Sequence, residues 1–199
     1  MRKGEQTKEY ILQKAAQLFN ERGYYGASMS DIMAVTGMEK GGIYNHFKSK
    51  DDLAVQAYEY AVDLMRQEFA AAIKGKYHAV ERLQAVVAVF QRIPSGSPLK
   101  GGCPVVNTAV HVGHTHSKLQ SCARETMVEW QDFIRRIVQL GIEREQLKPD
   151  TDVEMLTTLL ISTVEGAIML TELYQDDSYM DRAIAHLTTY LQSLALPDV

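Results

Sequence analysis

Apolar residues recur three and four positions apart along most of the chain, and nowhere do they alternate over a strand's length. Ile11, Ala15, Leu18 and Phe19 form the first stripe and predict a helix over 6–22, followed by a loop at Gly23-Tyr24-Tyr25-Gly26. Leu53, Ala57, Ala61 and Leu64 predict a long helix over 49–74, stopped at Gly75. Further helices are expected over 78–93, 104–112 and 117–144, from the Pro149–Asp152 cap to 173, and over 178–194. The stretch from Pro94 to Pro104 is the long break of the second half, and Pro104 suits the first position of the next helix, with Cys103 at its cap. The expected fold is all-α, with about nine helices.

The pattern shortens between the first two long stripes. Ser28 stands where a side-chain oxygen can accept a free amide of a starting helix, and Asp31 sits at the capping-box spacing. Ile32 and Val35 give one apolar turn, Thr36 follows, and Gly37 tolerates the left-handed conformation of a helix stop. A second short helix then carries Gly41 and Gly42 in its first turn, each about 1 kcal/mol poorer than Ala in a helix. Glycines make sense there if the backbone must approach another surface closely, and a DNA major groove is such a surface. Ile43 and Phe47 share a face and can pack on the preceding helix. Ser49 caps the next helix, with Asp52 at the box position. Two short helices joined by a glycine turn form a helix-turn-helix. The DNA-contact candidates are Ser28, Thr36, Lys40, Gly41, Gly42, Tyr44, Asn45, His46, Lys48 and Lys50. Tyr44 can stack on a sugar or a thymine methyl, His46 and Lys48 can meet phosphates, and Lys50 lies on a helix N-terminus that can hold one.

A net charge of −4 is wrong for a DNA binder until it is divided along the chain. Residues 1–50 hold eight Lys/Arg against five Asp/Glu, and the remainder thirteen against twenty. The basic excess is local, and the local field governs phosphate affinity. No apolar run approaches the ~20 residues that span a bilayer, and the start of the chain is polar, so a cytoplasmic protein without a membrane partner is expected. Two cysteines are no disulfide framework.

Ala15-x-x-Leu18-Phe19, Arg22-Gly23-Tyr24, Ser30-Asp31-Ile32 and Gly41-x-Ile43-Tyr44-x-His46-Phe47-x-Ser49-Lys50-x-x-Leu53 closely resemble the TetR/AcrR family of bacterial transcriptional regulators, over roughly residues 5–53. The resemblance implies that the second short helix enters the major groove, that Tyr44, His46 and Lys50 contact the DNA backbone, and that the protein is a homodimer. Asn45 stands where the family often has an aromatic, which is expected to alter local contacts without abolishing binding, and Gly42 replaces a frequent Thr or Ser, so fewer side-chain base contacts are expected from this turn. The expected division is a three-helix DNA-binding domain, 1–50, and a helical ligand-binding and dimerisation domain, 51–199.

In that second part, the stripe from Met155 to Leu170 is too broad for a surface helix, and a second stripe runs from Met180 to Leu191. An ordinary core pair would explain both. A four-helix bundle between two copies also would, with Leu156, Leu160, Thr163, Gly166, Ala167, Ile184, Leu187, Tyr190 and Leu191 at the interface. The dimer is favoured because one short recognition helix offers too little contact for tight specific binding. Met65, Phe69, Phe90, Cys103, Val106, Val110, Met127, Trp130, Phe133 and Met169 are candidate walls of an apolar effector pocket, or plain core. Cys103 at a helix start could favour a thiolate and sense oxidants or electrophiles, or simply fill space at a pocket mouth. His111, His114 and His116, with Cys103 and Cys122, carry metal-ligand chemistry, but Gly113 interrupts their helix and no acidic partner is near. No catalytic residue, metal or cofactor is expected. The reading is a homodimeric repressor released from a palindromic operator by a small apolar or electrophilic effector. Its rivals are a thiol- or metal-dependent enzyme and a helical adaptor that does not bind DNA.

Overall fold

Amphipathic helices must bury their stripes against one another, and the structure, a computed structural model describing residues 3–96, 98–113 and 115–197, is built that way. Among the described residues there are nine helices: α1 (Lys3–Gly26), α2 (Met29–Thr36), α3 (Lys40–Tyr44), α4 (Lys50–Ile73), α5 (Ala79–Gln91), α6 (Pro104–Val112), α7 (Ser117–Glu143), α8 (Val153–Tyr174) and α9 (Ser178–Ser193). The all-α expectation holds. The largest difference is in α1, which runs through the expected loop with a break in helical geometry at Gly23 (φ 71°, ψ 167°).

Packing divides the chain into two compact units, Met1–Met65 with Leu99–Thr126, and Arg66–Pro98 with Met127–Val199. The first therefore extends beyond residue 50 and takes in α6. Its core joins Ile11, Ala15 and Leu18 of α1 to Ile32 of α2, Ile43 of α3, Phe47, and Leu53 and Ala57 of α4. A polar junction ties α1 to the segment leading into α6. The buried Asn20 donates through Nδ2 to the carbonyls of Lys100 (2.7 Å) and Gly102 (2.9 Å). Asn107 donates to the Asn20 carbonyl (3.2 Å) and to that of Gly101. Carbonyls in an irregular stretch have no helical donor, and these two amides supply it.

In the second unit α5, α8 and α9 pack on one another, burying Leu83, Val86 and Phe90 with Leu156, Leu160, Val164, Leu187 and Leu191. The chain end returns to the α7–α8 turn: the Lys148 amide donates to Leu194 (2.9 Å) and the Leu196 amide to Gln146 (3.1 Å). One expectation is corrected. The 22-residue α8 is long and apolar enough, by length and composition, to cross a membrane, and only a third of its most apolar window is buried.

Candidate nucleic-acid interface

Helices of eight and five residues do not persist alone in water, so α2 and α3 depend on caps and packing. At Ser28 the capping box is complete: its hydroxyl accepts from the Asp31 amide (3.1 Å), and the Asp31 carboxylate accepts from the Ser28 amide (2.8 Å). Gly37 (φ 67°) closes α2 and donates to Met33. Ser28→Ala should cost about 1 kcal/mol, read as a lower thermal midpoint. The hydrogen bonds from Ser28 hold the Asp31 carboxyl below its ordinary range. The Lys48 amide, followed by Gln56, does the same for Asp52 at the start of α4. Both contributions are fully present above the unfolded carboxylate value of ~4 and are lost as pH falls through the depressed folded values. The midpoint should therefore drop on acidification below about pH 4, and less so in Asp31→Asn.

Two expected positions exchange roles. Val35 is 39% exposed, whereas Thr36 is 5% exposed. Thr36 lies four residues from Ile32 and shares its face. Its hydroxyl donates to the Ile32 carbonyl (2.7 Å) and accepts from the Met38 amide (3.3 Å). Thr36 thus shapes the turn and is not available to DNA.

Beyond the turn the expected surface is open. Lys40, Gly41, Tyr44, Asn45 and Lys48 are exposed, Gly42 and His46 are half-buried, and Ile43 and Phe47 are buried. Lys40 Nζ lies 5.8 Å from the Tyr44 ring centre, so a cation and an aromatic share one face of α3. A Cβ on Gly41 would meet nothing within 4 Å, which leaves that backbone open to an approaching surface.

Lys50 departs from its expected role. Its ammonium donates to the Tyr24 carbonyl (2.7 Å) and lies 4.2 Å above the Tyr24 ring. The Tyr24 hydroxyl donates to Asp51; burial, then Asp51, pushes its pKa up to about 12. His116 meets the same ring edge-on (4.7 Å), with Nε2 3.9 Å from Asp51. Tyr24, Asp51 and His116 belong to this cluster, and sequence reasoning missed it because its members are 26 or more residues from their partners. Lys48→Ala should weaken binding to every DNA sequence and lower the salt slope by about 0.9. Lys50→Ala should leave the slope near wild type and lower the thermal midpoint. Anisotropy titrations at several salt concentrations, with melting curves, check both.

Residues 11–57 match the family model described as bacterial regulatory proteins, tetR family, and residues 79–187 match the tetracyclin repressor-like C-terminal domain. The chain belongs to the TetR family. It is therefore a DNA-binding transcription regulator and not an enzyme. It is similar to a TetR regulator from Chloroflexus aurantiacus, 42% identical over 98% of both chains with a TM-score of 0.93. A TetR-family regulator from Cytophaga hutchinsonii is 28% identical over 100% of this chain and 99% of its own (TM-score 0.90). The HTH-type transcriptional repressor DhaR of Mycobacterium sp. is 26% identical, over 88% of this chain and 87% of its own.

The other candidates are redistributed. Met65, Cys103, Val106 and Val110 lie in the first unit of this TetR protein, and Phe69, Phe90, Met127, Trp130, Phe133 and Met169 in the second. Val110 (73% exposed) and Met169 (59%) are on the surface and not pocket walls. Phe69 packs with Phe90, Trp130 and Phe133 at ring-centre distances of 5.4, 5.3 and 6.2 Å. The first unit holds a cavity of about 30 Å³ whose lining includes Asn20, Tyr58, Asn107 and His111, room for about one water. Cys103 caps α6 with Pro104 in its first turn, and is buried. The Gly23 backbone sits against the His111 ring, whereas His116 joins Tyr24, and His114 lies outside the described residues. Leu156, Leu160, Ala167, Leu187 and Leu191 are buried in the second unit's own core, so they cannot form a free interface. Thr163, Gly166, Ile184 and Tyr190 are partly exposed. Met155, Met169, Leu173 and Tyr174 are the large apolar residues exposed along α8.

Proposed function

We propose that this TetR-family protein is a cytoplasmic homodimeric repressor, released from a palindromic operator by a small apolar effector. The observation that carries the reading is the capped helix-turn-helix with Lys40, Tyr44, His46 and Lys48 on its accessible side. Lys40 meets base edges, Tyr44 stacks on a sugar or a thymine methyl beside the DNA backbone, and His46 and Lys48 meet phosphates. The apolar residues exposed on α8 support a second copy packed there. Two copies present two recognition helices, which fit half-sites about 34–36 Å apart. An effector that binds better to a protomer arrangement with another spacing weakens DNA binding by that difference in affinity.

The test joins two measurements. Sedimentation of the purified protein at micromolar concentration should give a two-chain mass. Anisotropy with a palindrome taken from DNA flanking its own gene should give two chains per duplex and strong salt dependence. A monomer that binds the palindrome tightly overturns the dimer, and affinity indifferent to salt overturns the interface.

A further inference from the structure

The inward stripe of α1 does not begin with an apolar residue. Ile11, Ala15 and Leu18 are buried, and the position one turn ahead of Ile11 on the same side is Lys8. Its side chain is half-buried, as a stem is that covers apolar surface while its head stays in water. The ammonium lies 5.7 Å from the centre of the Phe47 ring, which is 2% exposed. Among the described residues the Lys8 side chain makes no ion pair or hydrogen bond, and its Nζ is not buried without a partner, so water solvates it.

Phe47 fixes where that charge stands. It follows α3 directly: the Asn45 amide donates to Gly41 (3.0 Å), and the His46 and Phe47 amides both donate to Ile43 (3.0 and 3.2 Å). This turn carries Phe47 into the core and leaves Lys48 exposed and His46 half-buried on either side of it. The His46 and Phe47 ring centres are 6.3 Å apart. Both distances run to the same ring, so Lys8 Nζ and the His46 ring lie at most about 12 Å apart, the axial span of three to four phosphates along one strand. Lys50, which sequence alone puts on a phosphate, is held by the Tyr24 carbonyl instead.

We propose that Lys8 is a further DNA contact, a lysine that α1 delivers to the phosphate backbone beside the phosphates met by His46 and Lys48. The contact rests on the interface proposed above and extends it to a second element.

Lys8→Met tests it, since methionine keeps an apolar stem on Phe47 and removes the charge. Lys48→Ala tests the interface itself. Lys14→Met is the control, because the Lys14 ammonium lies 5.8 Å from the ring of Tyr10, on α1 itself. Anisotropy with the palindrome and with an unrelated duplex of the same length is repeated from 50 to 200 mM salt, with a melting curve for each preparation. Lys8→Met should lower the salt slope by about 0.9 for each copy bound, so its affinity deficit against wild type should shrink about 3.5-fold per copy across that range. The deficit should be alike on both duplexes, because phosphate contacts carry no sequence information. Lys8→Arg should restore the slope, and Lys14→Met should leave it unchanged. A wild-type slope in Lys8→Met beside a lowered one in Lys48→Ala overturns the Lys8 contact alone, and wild-type slopes in both overturn the interface with it. Equal losses in Lys8→Met and Lys14→Met show a diffuse field and overturn the contact. So does a lower melting midpoint with a wild-type slope, which makes Lys8 a support for Phe47 only.

Discussion

Gly101→Ala should lower the thermal midpoint by roughly 10 °C. Gly101 has φ +90°, and a Cβ there would lie 3.0 Å from the Glu21 Cα and 3.1 Å from the Asn20 carbonyl carbon and oxygen. The positive φ costs an alanine about 1–2 kcal/mol. The contacts are with backbone, which cannot rotate away, and forced overpacking adds about 1–3 kcal/mol. A kilocalorie shifts the midpoint of a chain this size by about 2–4 °C. Gly75→Ala is the control, since it has φ +76° but nothing within 4 Å of the added Cβ, so it reads the backbone cost alone. The excess at Gly101 is the steric part. Displacing the 100–102 carbonyls from Asn20 also unmakes the junction between α1 and α6, so operator affinity should fall with stability. A Gly101→Ala midpoint equal to that of Gly75→Ala would show that the junction yields freely.

Features set by neighbours within four residues were legible in the chain. The Ser28–Asp31 cap, the Gly37 stop, Pro104 in the first turn of α6 and the Asp152 cap of α8 each follow from a residue type at a fixed offset, and each is found. The buried face of α2 lies one position from the one its apolar residues predict, because Val35 and Thr36 both lie within a helical turn of Ile32 and a hydroxyl that bonds back to its own helix can be buried as readily as a valine. Lys50 looked like a phosphate ligand because nothing nearby in sequence competes for its charge. Its partner is a carbonyl 26 residues earlier. Likewise the stripe of α8 announced a helix apolar on more than one side, but not which side its own unit would cover. Leu156, Leu160 and Ala167 went inward, against α5 and α9, and Met155, Met169 and Leu173 were left outside.

That exposed side makes Gly166→Leu the sharpest test of the proposed dimer. In one protomer a Cβ at Gly166 would meet nothing within 4 Å, and leucine, which ranks just below alanine, recovers most of the about 0.8–1 kcal/mol by which glycine trails alanine in a helix. The isolated chain should therefore fold as well as wild type, with unchanged helical content. If a second copy packs on this face, the small residue lets two helices approach closely, and a leucine there forces them apart at a cost of about 1–3 kcal/mol for each copy. Counted over both protomers of a symmetric pair, the dimer dissociation constant should rise by roughly two to four orders of magnitude. Operator binding should fall with it, because a single recognition helix loses the second half-site. Sedimentation equilibrium and anisotropy on the same preparations read both quantities. A folded Gly166→Leu variant that remains dimeric and binds the palindrome as wild type does would place the interface on another face.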